Sequence, residues 1–245
     1  MAEIHFKRWQ QSAHFHNPLK GGMLDEHKIE VRLDPLLKHQ SVFPLELKGK
    51  AAILFPPTDR EYLEEHAEKS KGQCFLCDGR WREKAPRYEE TILPGGCLEK
   101  NDVALFPNLF PISAYHAVVM VGEKHCRHLE DFPASLIKDA FSVSLEFIRR
   151  CYQNDPGAIH FTINANYLFP AGASVMHPHL QILGSPFPTT HEQALLERSH
   201  DYFEKHGTSY WIDLIATEKR LQERWIGEID GSHWFTSYSP LGANE

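Results

Sequence analysis

No run of eighteen apolar residues occurs in the 245-residue chain, and its opening stretch, MAEIHFKRWQQSAHF, carries no apolar core of the secretory kind. No membrane span is therefore expected, and a cytoplasmic protein is. Excess positive charge is missing as well. Lys and Arg number 26 against 33 Asp and Glu, a formal charge of −7. Electrostatic capture of nucleic acid or of an anionic membrane needs the opposite sign, so neither is an expected partner. The five cysteines are an odd and small number, which speaks against a disulfide framework. No internal repeat or low-complexity tract stands out. What is present, 42% hydrophobic and 11% aromatic residues, suffices for a substantial core in one large domain or two small ones.

Periodicity predicts helices and strands in alternation. PPTDREYLEEHAEKSKG (56–72) reads as a helix, with Thr58 and Glu61 at capping-box spacing and Gly72 as its stop. VALFPN and HAVVMVG read as strands, as does AIHFTIN. Between them, Leu136, Ile137, Ala140, Phe141, Leu145 and Ile148 form a helical stripe that ends at Asn154-Asp155-Pro156-Gly157. A further helix is marked by Thr190 three residues before Gln193 and by Gly207 at its end, and SYWIDLIATEKRLQERW is a third. WIGEIDGSHWFTSYSP alternates around Asp230-Gly231, a hairpin signal. Strands in adjacent pairs among helices predict an α+β fold built on an antiparallel sheet.

Two local patterns carry chemistry. In GQCFLCDG, Cys74 and Cys77 have the spacing with which a tight turn aims two thiolates at one metal ion. No second CxxC exists, so further ligands must be histidine or carboxylate, and His125 and His177 are candidates. The alternative is a pair of reduced thiols in a turn. In SVMHPHLQILGSP, His177, His179 and Gln181 alternate, so a strand would put them on one face and Leu180 and Ile182 on the other. Phosphoryl transfer needs a nucleophile for phosphorus and donors for its nonbridging oxygens. Imidazole can act as a covalent nucleophile, and a carboxamide can donate to phosphate oxygens. Upstream, NANYLFPAGAS adds Asn166, Gly172 and Ser174 as anion donors.

HPHLQ closely resembles the active-site motif of the galactose-1-phosphate uridylyltransferase family, within the histidine-triad superfamily of nucleotide transferases and hydrolases. VRLDPLLKHQSVF, CFLC, VALFPNLFP, HAVVMVGEKHCRHLEDF and NANYLFPAGASVMHPHLQ resemble further family segments in the same order, over roughly residues 30 to 240. The resemblance implies a histidine-triad-like antiparallel half-barrel with packed helices. It implies that His179 is the nucleophile of a nucleotidyl-histidine intermediate and that Gln181 holds the phosphate. It further implies structural Zn2+ on Cys74, Cys77, His125 and His177. Asn166 and Ser174 would contact the α-phosphate, Asn108 the ribose, and Phe75 and Leu76 the base. A homodimer is expected on the same ground, with weak support from Trp234, Phe235 and Tyr238 read as exposed aromatics.

The sequence departs from the family in two places. Leu109 follows Asn108 where the uridylyltransferase has an acidic ribose partner. Of the family's tandem second repeat only the start is expected within residues 225–245, since TSYSPLGANE resembles only its opening, whether the chain is truncated or a short form. The expected organisation is an N-terminal extension (1–29), a nucleotidyltransferase domain (30–224) and the start of a second repeat (225–245). The implied activity moves a nucleoside monophosphate, UMP in the namesake reaction of galactose metabolism, between a nucleotide sugar and a sugar 1-phosphate. Two alternatives stand beside it: an adenylyl-transferring phosphorylase of ADP-sugars or dinucleoside polyphosphates, and an inactive zinc-stabilised nucleotide-binding module.

Overall fold

The computed structural model describes residues 2–47 and 56–242. The last three residues of TSYSPLGANE lie outside the described residues. In chain order the first elements are β1 (Lys7–Asn17), β2 (Met23–Leu33), β3 (Gln40–Pro44), α1 (Arg60–Lys71) and α2 (Trp81–Lys84). Next come β4 (Leu98–Lys100), β5 (Val103–Pro107), β6 (Tyr115–Val121), α3 (Ala134–Asn154), β7 (His160–Asn164) and β8 (His179–Ser185). The chain continues with α4 (Thr190–His206), α5 (Tyr210–Leu221), β9 (Trp225–Ile229) and β10 (Ser232–Phe235). No described helix is long and apolar enough to cross a membrane. The fold is α+β, with every strand pair antiparallel.

Two compact units emerge: Thr58–Pro188, and a second made of residues 1–57 with 189–245. The sequence-based boundary at 29/30 falls inside β2, because that strand pairs along its whole length with β1. The segment 225–245 falls in the same unit as the N-terminal hairpin.

Unit Thr58–Pro188 is built on a five-stranded sheet in the order β4-β5-β6-β8-β7. Period-two alternation gives it two differently clothed faces. Leu105, Ala117, Val119, Val121 and Ile182 point to one face and join Leu136, Ala140, Val143, Phe147 and Cys151 of α3 in the main core. Ala104, Phe106 and Met120 point to the other, where Cys74, Leu76, Cys77 and Trp81 pack. That second face carries the site. α3 buries a stripe through Leu136, Ala140, Val143, Phe147 and Cys151, whereas Ile137, Phe141 and Leu145 of the expected stripe are exposed. α3 is apolar around more than half its circumference. The side placed on the sheet carries small Ala140 and Cys151 beside the larger Leu136, Val143 and Phe147.

Capping also falls one residue from expectation. Asp59, not Thr58, caps α1 by accepting from the Tyr62 amide at 3.0 Å, where a carboxylate also meets the positive end of the helix dipole. Thr189, not Thr190, caps α4 by accepting from Glu192 N at 3.2 Å.

The other unit contains the sheet β1-β2-β3 and the hairpin β9-β10. Asp230 and Gly231 turn the latter with φ of 49° and 78°, the left-handed pair that a two-residue hairpin needs. The pattern before residue 56 yields no element by periodicity, because β1 is exposed along nearly all of its length and lacks an apolar alternation. Arg224 lies over the rings of Phe6 and Tyr238 and pairs with the buried Glu218 at 2.9 Å. Tyr238 is accordingly buried, contrary to its reading as an exposed aromatic, while Trp234 is exposed.

Candidate active site and metal centre

The metal set is assembled by three separate segments of unit Thr58–Pro188. Cys74 and Cys77 sit on a turn closed by a Cys77 N–H to Cys74 O bond of 3.3 Å, and Asp78 leaves it with φ of 56°. His125 follows β6, and His177 precedes β8. The four ligand atoms lie within 4.8 Å of one another, and all four residues are buried. Cys77 Sγ is 3.3 Å from His125 Nδ1 and 3.4 Å from His177 Nδ1, and Cys74 Sγ is 3.9 Å from His177 Nδ1. A tetrahedron with Zn–S of about 2.3 Å and Zn–N of about 2.0–2.1 Å has edges of roughly 3.3–3.8 Å. The donor set therefore fits a small tetrahedral cation.

Both imidazoles are oriented from behind. His177 Nε2 donates to Gly122 O at 2.7 Å, which leaves the Nδ1 lone pair facing the sulfurs. Ser70 Oγ donates to His66 O at 2.8 Å and so accepts from His125 Nε2, also at 2.8 Å. Nδ1 of His125 is thereby the free donor as well. Such outer partners fix tautomer and ring plane for a metal. Burial sets the charges in the same sense. It pushes the Cys77 thiol up to about 12, with Cys74 beside it adding to the effect. It brings the His177 imidazole down to about 4 and lowers His125 too. Uncharged donors packed this closely are stabilised as thiolates only by a cation among them.

His179 and Gln181 open on a cavity of about 300 Å³ on the same sheet face. Its walls include Phe75, Leu76, Phe106, Val118 and Val175, and its polar groups are Asn108, Ser174, His179 and Gln181, with Lys84 at one side. The register pairs His179 with Met120 and Gln181 with Val118, which places Gln181 opposite the middle of β6 and His179 near that strand's C-terminal end. β8 is interior to the sheet, with β6 and β7 on its two sides. His179 Nδ1 donates to His177 O at 2.8 Å. A carbonyl can only accept, so Nδ1 carries the proton and Nε2 keeps its lone pair. Pro178 between the histidines has no N–H of its own, but its carbonyl accepts from Val121 N at 2.9 Å, tying the motif to β6.

The structure brings together most of the residues expected at the site. Phe75, Leu76, Asn108, Ser174, His179 and Gln181 line one cavity, and the four metal candidates form one cluster. Asn166 and Gly172 are exposed in the loop between β7 and β8 and do not line the cavity. Leu109 is at the rim and 66% exposed. One polar residue on this face escapes sequence reasoning: the buried His116, whose Nε2 is 2.9 Å from Gln181 Oε1. Sixteen histidines blur such a signal, and only the β6–β8 register singles His116 out.

Comparison with known proteins follows the same line. No family model matches the chain. An uncharacterized protein of Archaeoglobus fulgidus is 30% identical over 224 residues, which is 91% of this chain and 64% of that protein. Among solved structures, an ADP-glucose phosphorylase from Arabidopsis thaliana with bound ADP-glucose superposes with a TM-score of 0.57 at 22% identity, covering 82% of this chain and 61% of that one. A GalT-like protein from Arabidopsis thaliana gives 0.51 at 23% identity, over 63% of this chain and 52% of its own. A uridylyltransferase mutant gives 0.50 at 21% identity, over 64% and 53%. The chain thus spans about six-tenths of the length of the first of these relatives. Its fold is shared with the ADP-glucose phosphorylase, the GalT-like protein and the uridylyltransferase.

Proposed function

We propose that the chain is a nucleotidyltransferase working through a covalent nucleotidyl-histidine at His179. One observation carries the reading: His179 Nδ1 is committed to a backbone carbonyl, so an unprotonated Nε2 is left beside the Gln181 carboxamide in an apolar-walled cavity. Nε2 attacks the α-phosphorus of a bound nucleotide sugar. A P–N bond forms as the P–O bond to the leaving sugar phosphate breaks. A phosphate oxygen of the acceptor then attacks the same phosphorus, and the P–N bond breaks in turn. Gln181 N–H groups and the Ser174 hydroxyl donate to the nonbridging oxygens as charge builds on them. Phe75, Leu76 and Phe106 take the base, and Asn108 the ribose. The metal is zinc. Four protein donors complete its shell, so it supplies structure and does not activate a nucleophile.

UMP is the favoured group, moved between a UDP-sugar and a sugar 1-phosphate. A second reading, transfer of AMP, is favoured by Leu109, which offers no carboxylate to the ribose, and by the likeness to a protein with bound ADP-glucose. Intact mass after incubation with UDP-glucose or ADP-glucose, separately, tests both. A gain of one nucleoside monophosphate on His179 is expected. No gain with either sugar nucleotide overturns the enzyme reading in favour of a binding module. The protein is further proposed to be a homodimer in solution, with light scattering at micromolar concentration as the check. A monomer there removes the dimer and leaves the chemistry standing.

A further inference from the structure

His116 belongs to none of the motifs that point to the site, yet both of its ring nitrogens are engaged. β6 and β8 are in register with His116 opposite Leu183 and Val118 opposite Gln181. His116 and Gln181 therefore share the cavity face one diagonal step apart. The Ile112 amide donates to His116 Nδ1 at 3.1 Å, and that nitrogen can accept only through its lone pair. The proton of the neutral ring is consequently on Nε2, 2.9 Å from Gln181 Oε1. Asn108 Nδ2 is 3.1 Å from the same Nε2, but the Asn108 carboxamide is fixed by Phe110 N donating to its Oδ1 at 2.9 Å. Two nitrogens that both carry protons are neighbours there and not partners. The backbone is held too, because the His116 carbonyl accepts from Asn108 N at 2.8 Å and from the Tyr88 hydroxyl at 2.9 Å.

We propose that His116 is a positioning residue for Gln181. Its Nε2–H pins Oε1 and so turns the two amide protons toward the phosphoryl group. A carboxamide flip would face Oε1 to the nonbridging oxygens and replace two donors by a repulsion. His116 does not touch phosphorus, and its effect passes through Gln181. The inference rests on the nucleotidyltransferase reading above.

The test compares His116→Asn and His116→Gln. The asparagine oxygen can take over the acceptor role of Nδ1 toward Ile112 but leaves nothing at Nε2. The glutamine amide reaches the Nε2 position and restores a donor. The single-turnover rate of nucleotidyl-enzyme formation is measured at saturating UDP-glucose or ADP-glucose, whichever labels the wild type. Metal content and thermal transition are followed alongside. His116→Asn is expected to slow labelling about 10- to 100-fold, and His116→Gln to recover most of that loss. In a Gln181→Ala background, His116→Asn should add less than about a twofold further loss, since the residue acts through the missing side chain. Wild-type labelling in His116→Asn, or losses that multiply in the double variant, overturns the proposal. So does a ring 15N spectrum of the unmodified protein with the proton on Nδ1 of His116, a readout that needs neither variant nor turnover. Absence of any adduct on the wild type strikes instead at the reading on which the inference rests.

Discussion

Adjacent histidines of one motif serve opposite ends of the site because of the ring nitrogen each leaves free. His177 commits Nε2 to Gly122 O and turns Nδ1 to the sulfurs, while His179 commits Nδ1 to His177 O and keeps Nε2 for the cavity. His179→Ala should accordingly abolish nucleotide labelling while metal content and the unfolding transition stay as they are. His177→Ala should lose the metal, and loss of a structural metal is among the few single changes that exceed about 4 kcal/mol. Metal analysis and calorimetry on the two variants separate the roles, and equal metal loss in both would refute them. Gly184 supplies a steric counterpart further along β8. It pairs with Phe161, and a Cβ built on it stands 2.2 Å from the Phe161 ring. Gly184→Ala is expected to destabilise by about 1–3 kcal/mol through overpacking, read as a lower denaturant midpoint at unchanged slope.

At the scale of elements, what is legible in a sequence depends on how local the cause is. The CxxC turn and the alternation of His179 and Gln181 are local, so the thiol pair and the cavity face can be read directly. His177, expected on that face, precedes β8 and turns to the sulfurs instead, and His125 enters the set only through the fold. The partnership of His116 with Gln181 spans 65 positions and exists only once β6 and β8 adopt their register. The β1–β2 hairpin escapes periodicity because the partner strand, not a buried apolar face, specifies it. For α3 the period is right and the face is shifted: Leu136 and Ala140 of the expected stripe are buried, but Ile137, Phe141 and Leu145 are exposed, and Val143, Phe147 and Cys151 face the sheet in their place. Helix starts err by a single residue as well: Thr58 and Asp59 both cap well, and only the bond to Tyr62 N chooses between them. Asp59→Ala should then cost about 1 kcal/mol and Thr58→Ala nearly nothing. Equal effects in thermal melts would restore Thr58 as the cap.

For the whole molecule the two compact units differ in what stabilises them. Unit Thr58–Pro188 closes around the buried cysteines and histidines, whereas the other holds its buried Glu218 with Arg224 and joins Ser41 Oγ to Pro240 O at 2.6 Å without any metal candidate among its described residues. Chelation should therefore remove hydrogen-exchange protection from the amides of β5, β6 and β8 and leave that of β1 and β2 in place. Acid should act in the same direction. Burial holds His177 at about 4 in the fold, against 6.5 when exposed. Between those values the unfolded chain binds a proton that the folded chain does not, so unfolding becomes more favourable as pH falls. The contribution is complete above about pH 6.5 and is lost progressively toward pH 4. A metal on Nδ1 competes with the same proton, so acidification through this window also releases it. Metal content and exchange protection measured from pH 7.5 to 4 should fall together in the β5, β6 and β8 region. Protection that stays flat across the window while the metal is released would show that the cluster does not hold this unit together.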